Sequence, residues 1–150
     1  MVNFDIDSAQ PNDLETLTSL LQELFSIEKD FTANPTKQLV GLQQLLAESQ
    51  RARIFVARDT DKVIGFCCVQ LVISTSQGSY SAWIEDVIVA KDFRGQGIGK
   101  ALLNHTINWA KQQGATRAQL LVDNQNTAAI QFYQKIGWSE TQLGVRQFFI

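Results

Sequence analysis

The sequence predicts an α/β fold: a mixed, mostly antiparallel sheet of about seven strands flanked by four helices. Three observations carry this expectation. Four stretches repeat apolar residues at helical spacing, several shorter ones run as alternating or continuous apolar segments, and the two kinds follow one another as β, α, α, three β, α, β, α, β, β. With 150 residues and 45% hydrophobic content the chain suits a single domain over residues 1–150 with a core of its own, and no linker is evident.

"VNFDID" alternates, so Val2, Phe4 and Ile6 share one face of a first strand. In "NDLETLTSLLQELF", Leu14, Leu17, Leu21 and Leu24 recur at helical spacing, and Asn12 with Glu15 has the form of a capping box. A second helix follows in "NPTKQLVGLQQLLAES", with Asn34 as N-cap and Pro35 in the first helical position. The linking stretch "SIEKDFTA" has room for a functional loop. "RIFVAR", "KVIGFCCVQLVI" and "SYSAWIEDVIVA", separated by turn-rich residues, form a three-stranded meander in which Gly65 marks a bulge or a close backbone approach. Residues 98–113 are amphipathic, with Gly114 as C-cap; "ATRAQLLV" is a strand, and "NTAAIQFYQKI" is a helix stopped at Gly137. "WSETQ" and "VRQFFI" are expected as two short closing strands, whose Phe148, Phe149 and Ile150 are placed to pair across a homodimer.

Composition narrows the function. With 13 Lys+Arg against 15 Asp+Glu and no basic block, no nucleic-acid or membrane partner is implied. The acidic start "MVNFDIDS" lacks a signal peptide's basic flank, and the apolar run from Val63 to Ile73 is short for a bilayer, so a soluble, cytoplasmic protein is expected. Cys67 and Cys68 are adjacent and suit reduced core thiols; with one histidine in the chain, no metal site is expected.

The chemistry concentrates in "FRGQGIGK", residues 93–100, between an apolar strand and a helix. A P-loop would require Ser or Thr after Lys100, where Ala101 stands, and a dinucleotide loop would require G-x-G-x-x-G at the head of a parallel sheet. Neither fits. Backbone N–H groups curling around glycines at a helix N-terminus form a metal-free cradle for a pyrophosphate, to which Arg94 can add a charge unless it pins the loop instead. A ligand-free strand-to-helix turn is the plainer alternative.

"VIVAKDFRGQGIGKALL", followed by "NQNTAAIQFYQKIGW", resembles the GNAT superfamily of N-acetyltransferases, whose Arg/Gln-x-x-Gly-x-Gly/Ala signature is met by Arg94, Gly97 and Gly99. The resemblance implies acetyl-CoA as co-substrate, without a metal, and acetyl transfer to a primary amine by direct attack in a ternary complex. It implies that Val87, Ile88 and Val89 pair with the pantetheine arm and that Arg94, Gly95, Gln96, Gly97, Ile98, Gly99 and Lys100 hold the pyrophosphate. Asn126 matches a position that contacts the arm, and Tyr133 one beside the thioester sulfur, where it also serves as general acid; on residue type alone Tyr133 would be core packing.

In "WIEDVIV", Glu85 and Asp86 fall on opposite faces of one strand, and the stretch locally resembles diamine acetyltransferases, which points to Glu85 as base through water and Asp86 as a structural partner. A bulge would exchange the two. His105 lies at the edge of an apolar helix face and is not taken as catalytic. The acceptor, a small-molecule amine or a peptide or protein amine, would meet "FSIEKDF", where Glu28 and Asp30 attract a cation, and Tyr80 or Trp83. The alternative is a non-catalytic acyl-CoA-binding or regulatory module on the same fold.

Overall fold

A computed structural model describes residues 1–150. The elements are β1 (Asp5–Ser8), α1 (Leu14–Ile27), α2 (Pro35–Ala47), β2 (Ala52–Asp59), β3 (Lys62–Ser74), β4 (Ser79–Val89), α3 (Ile98–Gln112), β5 (Ala115–Leu120) and α4 (Thr127–Lys135). One sheet runs β1-β2-β3-β4-β5, antiparallel except for the parallel β4–β5 pair. The class and the four helices match expectation, but the sheet has five strands instead of seven. The two closing strands do not form: residues 139–150 are exposed throughout and pair with nothing in the chain.

The sheet is buried on both faces. Leu17, Leu21 and Leu24 of α1 and Leu42 of α2 pack on Ile54, Val56 and Phe66. Leu102, Leu103 and Ala110 of α3 pack on the other face, against Phe55, Ile64, Val69 and Ile84, with Val2, Phe4 and Ile6 at the margin as their alternation predicts. Cys67 and Cys68 are free thiols, fully buried on opposite faces.

Strict alternation fails at two places, and both matter for the site. Ile64 and Cys67, three residues apart, share a face, because the β2–β3 register shifts beside Gly65. A Cβ on Gly65 would lie 2.9 Å from the Ile88 carbonyl oxygen, so the glycine permits a close approach of β3 to β4. In β4, Ile84 and Val87 likewise share a face, since Phe66 pairs with Ile88 and Cys68 with Glu85, leaving Asp86 and Val87 opposite Cys67 alone.

Entry to α1 differs from the expected box. Pro11 starts a 3-10 turn, and the Gln10 N–H donates to Asp13 Oδ2 at 2.8 Å, so the carboxylate that closes the turn is Asp13 and not Glu15. Asp13 is buried and accepts from Arg58 at 2.9 and 3.0 Å, which ties this turn to β2. That hydrogen bond holds the Asp13 carboxyl below the usual carboxylate range, against the opposing effect of burial. A depressed acid contributes stability present above the unfolded-state pKa and lost as pH falls through the folded one. Asp13→Ala is therefore expected to cost about 3 kcal/mol at neutral pH by leaving Arg58 half-paired, with the deficit shrinking in acid; urea unfolding at two pH values measures both. Asn34 and Pro35 begin α2 as predicted, the Asn34 side chain accepting from Lys37 N at 3.1 Å.

Candidate active site

The site grows from the bulge in β4. β4 pairs with β5 only from Tyr80 to Ile84, opposite Ala115 to Leu120, and β5 ends there. Beyond Ile84 the strands part, so Val87, Ile88 and Val89 keep an open backbone edge on the β5 side. Asp86 has φ of 56°, a left-handed conformation uncommon for a residue with a side chain, and this turn of the backbone is the bulge itself. Its consequence is chemical. Glu85 and Asp86, on opposite faces in a regular strand, both line one cavity of about 670 Å³ between β4 and the α1–α2 pair.

At the far end of β4 the glycine turn enters α3. Gly95 and Gly97 have φ of 76° and 82°, and the first α3 hydrogen bond runs from Ala101 N to Gly97 O at 3.0 Å. The N–H groups of Ile98, Gly99 and Lys100 consequently have no backbone acceptor and stand at the positive end of the helix dipole. Ile98 buries its side chain in the core, and Lys100 is exposed. Gly99 lets α4 close on α3: a Cβ there would lie 3.3 Å from the Phe132 ring. The residues fit a pyrophosphate as an anion held by backbone donors.

Arg94 takes the pinning role. Its Nε donates to Val89 O at 2.8 Å and its guanidinium to Glu23 Oε1 at 2.6 Å, bracing the turn against β4 and α1. Gln96 does similar work, accepting from Val2 N at 2.9 Å. Asn126 caps α4, accepting from Ala129 N at 3.0 Å, so its oxygen is committed to the helix start while its amide group is not.

Tyr133 packs with Val87 and Val89 against the same core cluster. Its ring makes edge contacts with Phe132 and Trp138, at centroid separations of 5.1 and 5.9 Å. Burial, with the nearby Cys67 and Glu28, pushes the phenol up to about 12, so it is protonated throughout the physiological range. His105 is exposed and meets the Phe55 ring edge-on, at the boundary the sequence assigned to it.

The cavity is apolar on one side and acidic on the other. Leu21, Leu24, Leu42 and the stacked rings of Phe25 and Phe31 face Glu28, Glu85 and Asp86. Burial, together with the charges of Asp123, Asp30 and Glu85, raises the Glu28 pKa. Asp86 is pushed up to about 6 by burial and then by the charge of Glu85, against a hydrogen bond from the Cys68 thiol. Glu85 is exposed and accepts from Trp83 Nε1 at 2.9 Å. Tyr80 and Trp83, expected to wall the acceptor, lie off this cavity, and Phe25 and Phe31 occupy that place.

A match to the Acetyltransferase (GNAT) family spans residues 14–138. This chain belongs to that family. It is 38% identical over 90 residues to an uncharacterized N-acetyltransferase of Methanocaldococcus jannaschii, covering 59% of this chain and 40% of that protein. It is also 38% identical over 98 residues to streptothricin acetyltransferase of Streptomyces lavendulae, covering 61% of this chain and 47% of that protein. The chain thus spans under half the length of these curated relatives. A crystal structure described as a transcriptional regulator from Bacillus halodurans superposes with a TM-score of 0.85 at 27% identity, over 98% of this chain and 100% of that one.

For a GNAT domain, three features of this site lay outside the sequence reading. Glu23 is one; nothing in a helix pattern shows that a half-buried glutamate braces a turn 71 residues away. The shared orientation of Glu85 and Asp86 is another, its signal being Gly65 on the facing strand. The third is the stacking of Phe25 on Phe31: "FSIEKDF" was expected to meet the acceptor, but through Glu28 and Asp30 and not through the two rings at its ends.

Proposed function

We propose that this protein is an acetyl-CoA-dependent N-acetyltransferase whose acceptor is a cationic primary amine with an apolar portion. The observation that carries the reading is the meeting of three things at the end of β4: the open backbone edge of residues 87–89, the glycine cradle, and a cavity that is acidic on one side and apolar on the other. A cation with an apolar body matches such a cavity in both respects. The Streptomyces relative, named for streptothricin, is a precedent for a small-molecule acceptor.

Acetyl-CoA supplies the thioester. Val87, Ile88 and Val89 would extend β4 along the pantetheine arm by strand-like pairing, and the N–H groups of Ile98 to Lys100 would hold the pyrophosphate. Attack requires a neutral nitrogen, a stabilised carbonyl oxygen and a proton for the departing sulfur. The backbone N–H at Val87, beside the bulge, is the donor we assign to the carbonyl oxygen. Tyr133 is the donor to the sulfur. Glu85, exposed to water in the cavity, accepts the amine's proton through water.

A second assignment is favoured by one observation: Asp86, brought to the cavity by the bulge and titrating at about 6, is itself placed and poised as a base near neutral pH. The pH dependence separates the two. Relative to Asp86→Asn, wild-type kcat/KM is expected to rise with pH through about 6 and level off as Asp86 ionises. If Glu85→Gln abolishes turnover and Asp86→Asn removes only the inflection, Glu85 is the base; if Asp86→Asn alone abolishes it, Asp86 is. The activity itself is tested by CoA release from acetyl-CoA across a panel of diamines, polyamines, aminoglycosides, amino acids and peptides. Tight acetyl-CoA binding with no turnover on any of them would replace an enzyme with a binding module.

A further inference from the structure

We propose that Arg117, with the hydroxyls of Ser74, Ser76 and Ser81, is a binding site for the phosphate group of a free phosphate or a phosphomonoester, separate from the glycine cradle. The starting observation is an arginine without an acid. Arg117 lies in β5 and forms no ion pair. Its guanidinium is ringed by hydroxyls instead: Nε donates to Ser81 Oγ at 3.1 Å, Nη2 to Ser74 Oγ at 3.1 Å and Nη1 to Ser76 Oγ at 3.4 Å. A cation held by neutral acceptors alone keeps its charge for a ligand.

Donors are in excess at this point. A guanidinium has five N–H groups, and the three bonds use one each, so two have no acceptor in the chain. Ser74 Oγ and Ser76 Oγ are 3.2 Å apart, so one donates to the other and the second keeps a proton that no protein group accepts. The cluster therefore offers three donors beside a positive charge. Three donors match the three terminal oxygens of a phosphate monoester, where a carboxylate has two.

The donors are in place before any ligand arrives. Ser81 and Ser74 are 2% and 9% exposed, and they fix two of the guanidinium nitrogens. Ser81 is the register partner of Arg117 across the β4–β5 pair, and Ser74 pairs with Ser79 where the β3–β4 hairpin turns. The turn is itself tied to β5, since Ser79 Oγ lies 2.6 Å from Thr116 Oγ1, which donates to Gln77 Oε1 at 3.1 Å. Ser76, on the exposed turn, is thereby held beside Arg117. An arginine that only straps a hairpin to β5 is served by the two buried hydroxyls; the third hydroxyl and the two spare N–H groups exceed that role.

Position sets the site apart from the cradle and relates it to the cavity. It stands at the start of β4, whereas the glycine turn follows the end of that strand. Trp83 donates to Glu85, which lines the acidic cavity, and Ser81 precedes Trp83 by one strand period, so all three share a sheet face. Ser81 and Glu85 are four residues apart, about 13 Å along a strand. Gln70 and Val72, opposite Trp83 and Ser81 on β3, are exposed, so the face between the two places is open. A phosphate on the far end of an amine acceptor thus reaches Arg117 while the amine lies in the cavity. That source rests on the acetyltransferase reading, and a free phosphate does not.

The test is a titration with inorganic phosphate at constant ionic strength, with CoA present to occupy the cradle, followed by NMR at the Arg117 Nε–H signal. Arg117→Gln assigns the signal by its loss. A saturable shift with Kd below about 10 mM is expected, with acetate at least about ten-fold weaker. Ser76→Ala, at an exposed turn position, is expected to weaken phosphate binding about three- to ten-fold with Tm unchanged. Aminoalkyl phosphates of graded length then separate the sources. If the acceptor brings the phosphate, the KM of a member long enough to span the face lies at least about ten-fold below that of the plain alkylamine, and Arg117→Gln removes the difference. Equal KM values assign the site to a free phosphate. Absence of turnover on every amine ends the acetyltransferase reading, while the NMR titration still decides the site. A shift that never saturates, an equal response to acetate, or full affinity in Ser76→Ala overturns the proposal.

Discussion

Tyr133→Phe is expected to lower kcat for acetyl transfer by about 10²-fold, with the KM for acetyl-CoA and the melting temperature almost unchanged. The phenylalanine keeps the ring contacts with Phe132 and Trp138, so the fold around α4 loses nothing but one hydroxyl. The hydroxyl is protonated because burial pushes it up to about 12. That value also limits its role. A thiol titrates near roughly 8.5, so complete proton transfer from so weak an acid is uphill in the empty site, and in the proposed mechanism Tyr133 would act mainly as a hydrogen-bond donor that strengthens as charge builds on sulfur. The expected loss therefore lies at the lower end of acid–base effects. It also makes the phenylalanine variant's pH profile parallel to wild type up to about pH 10, since the tyrosine does not ionise below that. Steady-state kinetics across pH measure both, and a variant with full kcat would reduce Tyr133 to a packing residue.

Gly97→Val is expected to weaken acetyl-CoA binding by about 10–100-fold while leaving the KM for the amine near its wild-type value. Space is not the cause, as a Cβ at this position meets no atom within 4 Å. The backbone is. Gly97 caps α3 with φ of 82° and ψ of 2°, a conformation that costs a β-branched residue about 1–3 kcal/mol. The loop either bears this strain or relaxes to negative φ, and relaxation re-aims the N–H groups of Ile98 and Gly99 that form the cradle. Gly78 provides the control. It has φ of 63° in the β3–β4 turn, at the end of β4 remote from the site, so Gly78→Val carries similar strain and is expected to lower stability without changing acetyl-CoA affinity. Calorimetric titration of both variants decides; equal losses of affinity would mean that Gly97 acts through stability alone.

Part of the site was legible because its signals are local. Gly95 and Gly97, between an apolar strand and an amphipathic helix, specify a turn that needs left-handed φ and a bare helix start, whatever the rest of the chain does. The same holds for Asn34–Pro35 at the head of α2 and for Gly114 and Gly137 behind α3 and α4, where φ is 93° and 97°. Capping and turn chemistry act over a few residues, so a few residues reveal them. The expected Asn12–Glu15 box failed for a related reason: Pro11 begins a 3-10 turn, and Asp13 is claimed by Arg58, 45 residues away.

The sequence by itself determined the order of the elements as far as α4, the glycine turn at the head of α3 and the position of Tyr133 on α4, since periodicity, turn residues and motif spacing are properties of short stretches. Only the tertiary structure decided that Glu85 and Asp86 turn to one cavity, that Arg94 braces the glycine turn through Glu23, and that residues 139–150 form no strand. Each of these depends on a neighbour distant in sequence: the register of β3 against β4, the approach of α1 to the turn, and the absence of a lateral partner at β5. Alternation along a strand predicts which side chains share a face only while the register holds, and one extra residue in β4 is enough to bring a second carboxylate into the cavity between β4 and the α1–α2 pair.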